Sequence, residues 1–243
     1  MRATRNIIMA EEEGLTPAAL LKLQSWLSPA FPVGAYSYSH GLEWAVEAGH
    51  VGDLETLVSW LQADLCHGTG RNEGIFFKEA WQASVDDDSA RLLATAEWAA
   101  ALRGTAEFAL EATQQAGACL ATLQRVWPDP RMEWLATLLR ERDTQPTLAV
   151  VLAVRTAAAG IPLEVALPAF LQSQIANWVT AGVRLIPLGQ TAGQHAIAAL
   201  ESAVLACSAQ VSQAPLEELG SAAFMVDLAS MAHETQYTRL FRS

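Results

Sequence analysis

Hydrophobic positions recur along most of this chain at the spacing of one buried helical face. Leu54, Leu57, Val58, Leu61 and Leu65 follow the i, i+3, i+4, i+7 rule behind Asp53, a residue suited to the N-cap. Upstream, Thr16-Pro17 supplies an N-cap followed by proline at the first helical position, with Leu20, Leu23 and Leu27 on one face. Gly68 and Gly70 interrupt the pattern, and Glu73 to Trp81 resumes it with Ile75, Phe76 and Ala80 inward. Asp86 to Asp88 with Ser89 form a turn and cap whose negative charge suits a helix N-terminus. From Ala90 to Val126 the chain is rich in alanine and free of proline, with Trp98 and Phe108 interspersed. One or two long helices are expected there, broken at Gly104 or Gly117. Small side chains allow close helix approach, which places this segment at the centre of a bundle.

Pro128-Asp129-Pro130 stops one helix and starts the next, in which Met132, Leu135 and Leu139 face inward. Gln145-Pro146 opens a helix that runs to Ala159 and ends at Gly160 and Ile161-Pro162. Glu164 to Arg184 is helical again, with Pro168 kinking it or delaying its start. Ile186 to Gly189 is a tight connector. Thr191 to Gln194 carries the capping-box pattern ahead of Ile197, Leu200 and Val204, and a last helix covers Ser221 to Glu234. No stretch alternates with period two and no fixed repeat emerges. The pattern therefore predicts an all-α fold: a single-domain multi-helix bundle over residues 15–234, in two layers around a central Ala/Leu-rich helix. Residues 1–14 read as a flexible N-terminus and 235–243 as a separate C-terminal tail.

One stretch departs from helical periodicity. In Ser28 to Gly49, Pro29 and Pro32 exclude a helix, and Gly34 frees the backbone. Phe31, Tyr36 and Tyr38 sit where a solvent loop carries polar residues. The chain turns helical after Gly41 through Leu42, Trp44, Ala45 and Val46, and Gly49 closes that helix. An ordered aromatic loop of this kind closes over its own core or meets a partner.

Composition narrows the functional classes. A formal charge of −11 disfavours nucleic acid and anionic lipid, because phosphate binding needs clustered Lys and Arg. Hydrophobic content of 51% with eight Trp argues for a packed core. Cys66, Cys119 and Cys207 are odd in number, widely spaced and without CxxC, as expected of buried thiols in a reducing compartment. The first residues lack an apolar signal region, and the longest aliphatic run, LAVVLAV, stops at Arg155, too short to span a bilayer. A cytoplasmic protein is expected.

Little in the chain is equipped for catalysis. There is no Gly-Lys pair for a phosphate loop, and Gly68 to Gly74 misses GxGxxG and has no preceding strand. Ser37 to Gly41 approaches the nucleophile elbow GxSxG but lacks its first glycine and its strand. A serine hydrolase using Ser39 and His40 is thus the enzymatic alternative; the simpler expectation is that Ser37 or Ser39 caps the following helix. His40, His50, His67, His195 and His233 contain no HxxxH or HExxH, so a closed metal site is not expected. Glu217-Glu218 and Asp86 to Asp88 read as solvated caps. The tail from His233 to Ser243 stands out, because it carries Tyr237, Leu240, Phe241 and the arginines 239 and 242 on an acidic protein. Tyr and Arg are enriched at interface hot spots. The residues alone leave open whether the tail inserts into a partner's groove, ordering as it binds, or folds back on its own bundle.

Three stretches together point to a family. PVGAYSYSHGLEWAVEAG (Pro32 to Gly49), AGVRLIPLGQTAGQ (Ala181 to Gln194) and HETQYTRLFRS (His233 to Ser243) resemble, in order, the N-terminal, middle and C-terminal signatures of UreF, the urease accessory proteins that help load nickel into urease. The resemblance implies an all-helical homodimer that bridges UreD (also called UreH) and the GTPase UreG on urease apoprotein. It implies no tightly bound cofactor, with nickel handled by the complex and GTP hydrolysis supplied by UreG. It assigns His233, Glu234, Tyr237, Arg239, Leu240 and Phe241 to UreD binding, and Arg184, Gln190 and Gln194 to UreG. The loop residues Phe31, Tyr36 and Tyr38 go to loop packing or the dimer. Many relatives have Lys where Arg184 stands; the charge is kept, while the planar guanidinium differs. A general helical adaptor outside urease maturation is the other non-enzymatic alternative.

Overall fold

The computed structural model describes residues 14–243; the expected flexibility of the N-terminus falls, apart from Gly14, outside them. Among the described residues every regular element is helical. The order is α1 (Pro17–Trp26), α2 (Leu42–Glu47), α3 (Leu54–His67), α4 (Thr69–Val85), α5 (Ser89–Ala101), α6 (Ala106–Val126), α7 (Pro130–Glu141), α8 (Leu148–Ala158), α9 (Leu163–Leu185), α10 (Gln190–Val211) and α11 (Phe224–His233). Short 3-10 turns cover Ala35–Ser37 and Leu216–Glu218.

Caps set many of these starts. Thr16 accepts the Ala19 N–H with Pro17 at the first helical position; Asp88 accepts the Arg91 N–H at α5, and Asp129 the Arg131 N–H at α7. Asp53 and Thr56 form a reciprocal capping box at α3. The box expected at Thr191 to Gln194 does not form. Gly189 is the N-cap, its carbonyl taking the Ala192 N–H, and Thr191 and Gln194 are already inside α10. Gly68 alone separates α3 from α4, while Gly117 is absorbed within α6 and the break falls at residues 102–105 around Gly104. In α1 the buried face is Ala19, Leu23 and Trp26, and Leu20 points outward. Pro168 lies within α9 without ending it.

The bundle is organised around α4 and α8. Every residue of α8 from Ala149 to Thr156 is buried, and in α4 the run Asn72 to Ala80 is buried without interruption. The helices α3, α9 and α10 pack on one side of this pair, and α5, α6 and α7 on the other. The charges inside the α4 run are matched: Glu73 pairs with Arg103 at 2.7 Å, Lys78 with Glu79, and Glu79 with Arg91 at 2.7 Å. Matching is required, because an unpaired buried charge is destabilising by several kcal/mol. The expected central position of Ala90 to Val126 is thereby corrected. Those helices lie in an outer layer, with Trp98 55% exposed. The centre belongs to the aliphatic run of α8, which is apolar all round and has no side to offer water.

The remaining pair positions the site. The short α2 packs against α11, with α2 leaning on α9 and α11 on α6. Close approach is possible because Gly41 has no side chain; a Cβ there would lie 3.0 Å from the Ser230 nitrogen. No described helix is long and apolar enough to cross a membrane.

Candidate functional site

The aromatic loop and the C-terminal tail meet over α2. His40 and Gly41 both adopt left-handed backbone, φ 57° and 76°, which turns the loop sharply into α2. The turn sends the two neighbouring side chains in different directions. Ser39 is fully buried; its hydroxyl donates to the main-chain oxygen of Ser243 and accepts the Glu43 N–H at 3.3 Å. His40 points into the bundle, sandwiched between Phe108 at 4.1 Å and Trp178 at 4.7 Å. The N-cap of α2 is Gly41, not the expected serine; Ser39 satisfies a first-turn N–H from two residues further back, and a serine–histidine pair is not formed. A buried hydroxyl already committed to two backbone groups is no nucleophile, and the hydrolase alternative falls with it.

Both His40 nitrogens face carboxylates, Nδ1 3.2 Å from Glu111 and Nε2 3.5 Å from Asp64. Burial on its own would lower the imidazole's proton affinity, but the Glu111 and Asp64 carboxylates override it and push the pKa up to about 10. His233 at the end of α11 is fully buried in a similar clamp, 2.7 Å from Glu107 and 3.0 Å from Glu43. Arg239 reaches the other Glu107 oxygen at 2.9 Å.

The tail lies folded on the bundle as a strap. Glu43 accepts the Leu240 N–H at 2.6 Å and the Phe241 N–H at 2.9 Å. Arg242 donates its N–H to the Ser37 carbonyl, Ser39 donates its N–H to Ser243, and the Ser243 hydroxyl donates to Glu111. Of the two outcomes that the residues left open, the structure shows the tail folded back, already ordered. It does so selectively: Phe241 and His233 are inside, while Tyr237 and Leu240 face solvent. Glu234 accepts the Ala106 N–H and so helps cap α6.

Arg184 links this strap to the middle signature. Its guanidinium stacks 3.5 Å from the Tyr36 ring centre and 4.2 Å from that of Phe241, and it donates to the Tyr36 carbonyl. Beside it opens a cavity of about 220 Å³ lined by Tyr36, Val183, Arg184, Gln190, Gly193 and Gln194. The fold therefore brings together Tyr36, Arg184, Gln190, Gln194 and Phe241, which the sequence distributes over three segments. Tyr38 is buried next to Tyr36. Phe31 lies elsewhere, stacked 6.1 Å from Trp127 in the core.

Two features of the site have no counterpart in the sequence reading. One is the set of carboxylates made up of the buried Glu43, Glu107 and Asp64 and the part-buried Glu111; the only trace of Glu43 is a single acid in the first turn of an apolar helix. The other is the outer face of α11, where Phe224, Met225, Leu228 and Met231 are exposed at helical spacing. Among the described residues no group of three His, Cys, Asp or Glu side chains is arranged to hold a metal ion. Cys119 and Cys207 are buried, and burial pushes both thiols up to about 12; Cys66 is half-buried, and its pKa is raised for the same reason.

Fold and site together define a helical binding scaffold: histidines and carboxylates hold segments in place, and apolar groups are displayed outside. Comparison with known proteins specifies the class. Residues 51–201 match the UreF family model. The chain is 47% identical over 226 residues to the urease accessory protein UreF of Rhodopseudomonas palustris (strain BisB5), covering 93% of this chain and 92% of that one. It is also 47% identical over 232 residues to the urease accessory protein UreF of Magnetococcus marinus, covering 94% and 99%, and 43% identical to that of Bradyrhizobium diazoefficiens, covering 93% and 92%. The chain belongs to the UreF family of urease accessory proteins, which are accessory chaperones and not enzymes.

Proposed function

We propose that this chain acts in the cytoplasm as a nickel-insertion chaperone for urease, bridging UreD and the GTPase UreG on urease apoprotein as a homodimer. The observation that carries the reading is the display of Phe224, Met225, Leu228 and Met231 along α11, followed in sequence by the outward Tyr237 and Leu240. Large apolar side chains grouped on one helical face mark a protein–protein surface rather than a solvated one. UreD is assigned to this face and strap. Tyr237 and Leu240 are its direct contacts, whereas His233, Glu234, Arg239 and Phe241 support them from beneath or from the side.

UreG is assigned to the cavity beside Arg184, with Gln190 and Gln194 on its rim. Nickel is cargo in this reading, and the energy of GTP hydrolysis comes from UreG, since the chain has no phosphate loop. The test is urease activation in cells lacking this chain. The wild type restores activity and forms a ternary complex with UreD and UreG. Failure to restore activity, or no interaction with either protein, overturns the reading.

A further inference from the structure

We infer that Glu43 is the positioning residue that seats the C-terminal strap, so that the docking face next to α11 is built only while this carboxylate is in place. The inference rests on the reading of that face as the UreD surface and names the residue that governs it. The strap has no helix beyond His233, and of its side chains only those of Phe241 and Ser243 are buried. Its hold on the bundle is therefore largely a matter of hydrogen bonds. Glu43 gathers three of them on one side chain: two consecutive strap amides, Leu240 and Phe241, together with His233 at the root of the strap.

The other anchors are spread along the strap, beginning with Gln236, whose amide donates to Glu47 on the same short helix. Arg239 meets Glu107 from a half-exposed position, Arg242 meets one carbonyl, and Ser243 meets Ser39 and Glu111 at the far end. A carboxylate that accepts backbone N–H groups in a buried setting makes charge-assisted bonds, and removing it leaves both donors without partners. Glu43 is itself fixed, because α2 is wedged between α11 and α9. The strap is thus seated from a rigid element, and its two large exposed side chains, Tyr237 and Leu240, are aimed by that seat.

The substitution Glu43→Gln keeps the shape but turns one acceptor into a donor that faces an N–H. Hydrogen–deuterium exchange on the purified chain is the first measurement. Exchange at the Leu240 and Phe241 amides should rise by about tenfold or more, with α4 and α8 unchanged. Affinity for purified UreD should fall by at least about tenfold. Unchanged strap exchange overturns the role of Glu43, whatever UreD does. A released strap with undiminished UreD affinity overturns the docking role of the strap instead, so the two failures are distinguishable. Should Glu43→Gln unfold the chain, Leu240→Pro removes one strap donor and leaves the carboxylate intact. The Phe241 amide then gives the readout, and protection equal to wild type overturns the proposal.

Discussion

The guanidinium of Arg184 rests 4.2 Å from the centre of the Phe241 ring, so the last helical turn of α9 touches the strap directly. The Tyr36 ring centre lies 3.5 Å from the same guanidinium. Stacking of this kind contributes about 0.5–1 kcal/mol at exposed sites. Arg184→Ala should lower the melting temperature by only a few degrees, roughly 2–4 °C per kcal/mol for a chain of this size. It should raise hydrogen exchange at Phe241 and weaken UreG binding. Arg184→Lys keeps the charge and loses the flat stacking surface, so it should recover only part of each effect. Full recovery by lysine would remove stacking from the account.

Tyr237 and Leu240 separate binding from folding. Neither side chain is buried, so Tyr237→Ala and Leu240→Ala should each change stability by no more than about 0.5 kcal/mol. On the reading proposed above, UreD affinity falls by about tenfold or more in each variant. Leu228→Asp on the outer face of α11 should behave in the same way, with helical content preserved. Calorimetric titration of UreD into the three variants, beside thermal melts, checks all of them. A loss of affinity that tracks a loss of stability would contradict the assignment.

His40 carries a pH signature. Its folded-state pKa, about 10, lies above the ordinary 6.5, with Glu111 and Asp64 facing its nitrogens and Phe108 and Trp178 covering its faces. A raised pKa means that the folded state holds the proton more tightly than the unfolded state. The stabilisation is therefore complete below about pH 6.5 and is lost as the pH climbs through about 10. Urea unfolding at pH 6, 8 and 10 should show wild type losing more stability over this range than His40→Gln. The imidazole should remain doubly protonated at pH 8 by nitrogen NMR; a neutral ring at that pH would refute the clamp.

Gly41 tests the packing of α2 on α11. Its φ of 76° costs a residue with a Cβ about 1–2 kcal/mol, and the added methyl would press on the Ser230 backbone at 3.0 Å. Gly41→Ala should destabilise the chain by about 2 kcal/mol or more in denaturant unfolding. Gly34→Ala is the control, with a similar φ of 77° but open space around it, and it should cost less.

Helix content and most helix starts were legible in the sequence, because caps such as Thr16, Asp53 and Asp129 act through neighbours two or three residues away. Thr191 misled because a cap is a backbone conformation, and Gly189 adopts it two residues earlier. Alanine content points to the wrong centre of the bundle. An unbroken aliphatic run, Leu148 to Val154, was the better signal, since it has no polar side to turn outward. The signatures indicated Tyr36, Arg184 and Phe241 separately, but only tertiary structure brings them within one stack. Glu43, Asp64 and Glu107 were out of reach, because nothing local distinguishes an acid that will be buried from one that will be solvated. The outer face of α11 was hidden for the converse reason. In the stretch Phe224 to Ala232, apolar residues occupy both sides of the helix, and only packing decides which side is covered.

Glu43 grips the strap by its main-chain amides and ignores the side chains that leave from them. Any residue other than proline can offer the same donor at those two places. The anchorage is thus blind to what Leu240 displays, and that position is at liberty to diverge and match a different surface while the strap keeps its course. Attachment and recognition are written in separate alphabets, one of peptide groups and one of side chains.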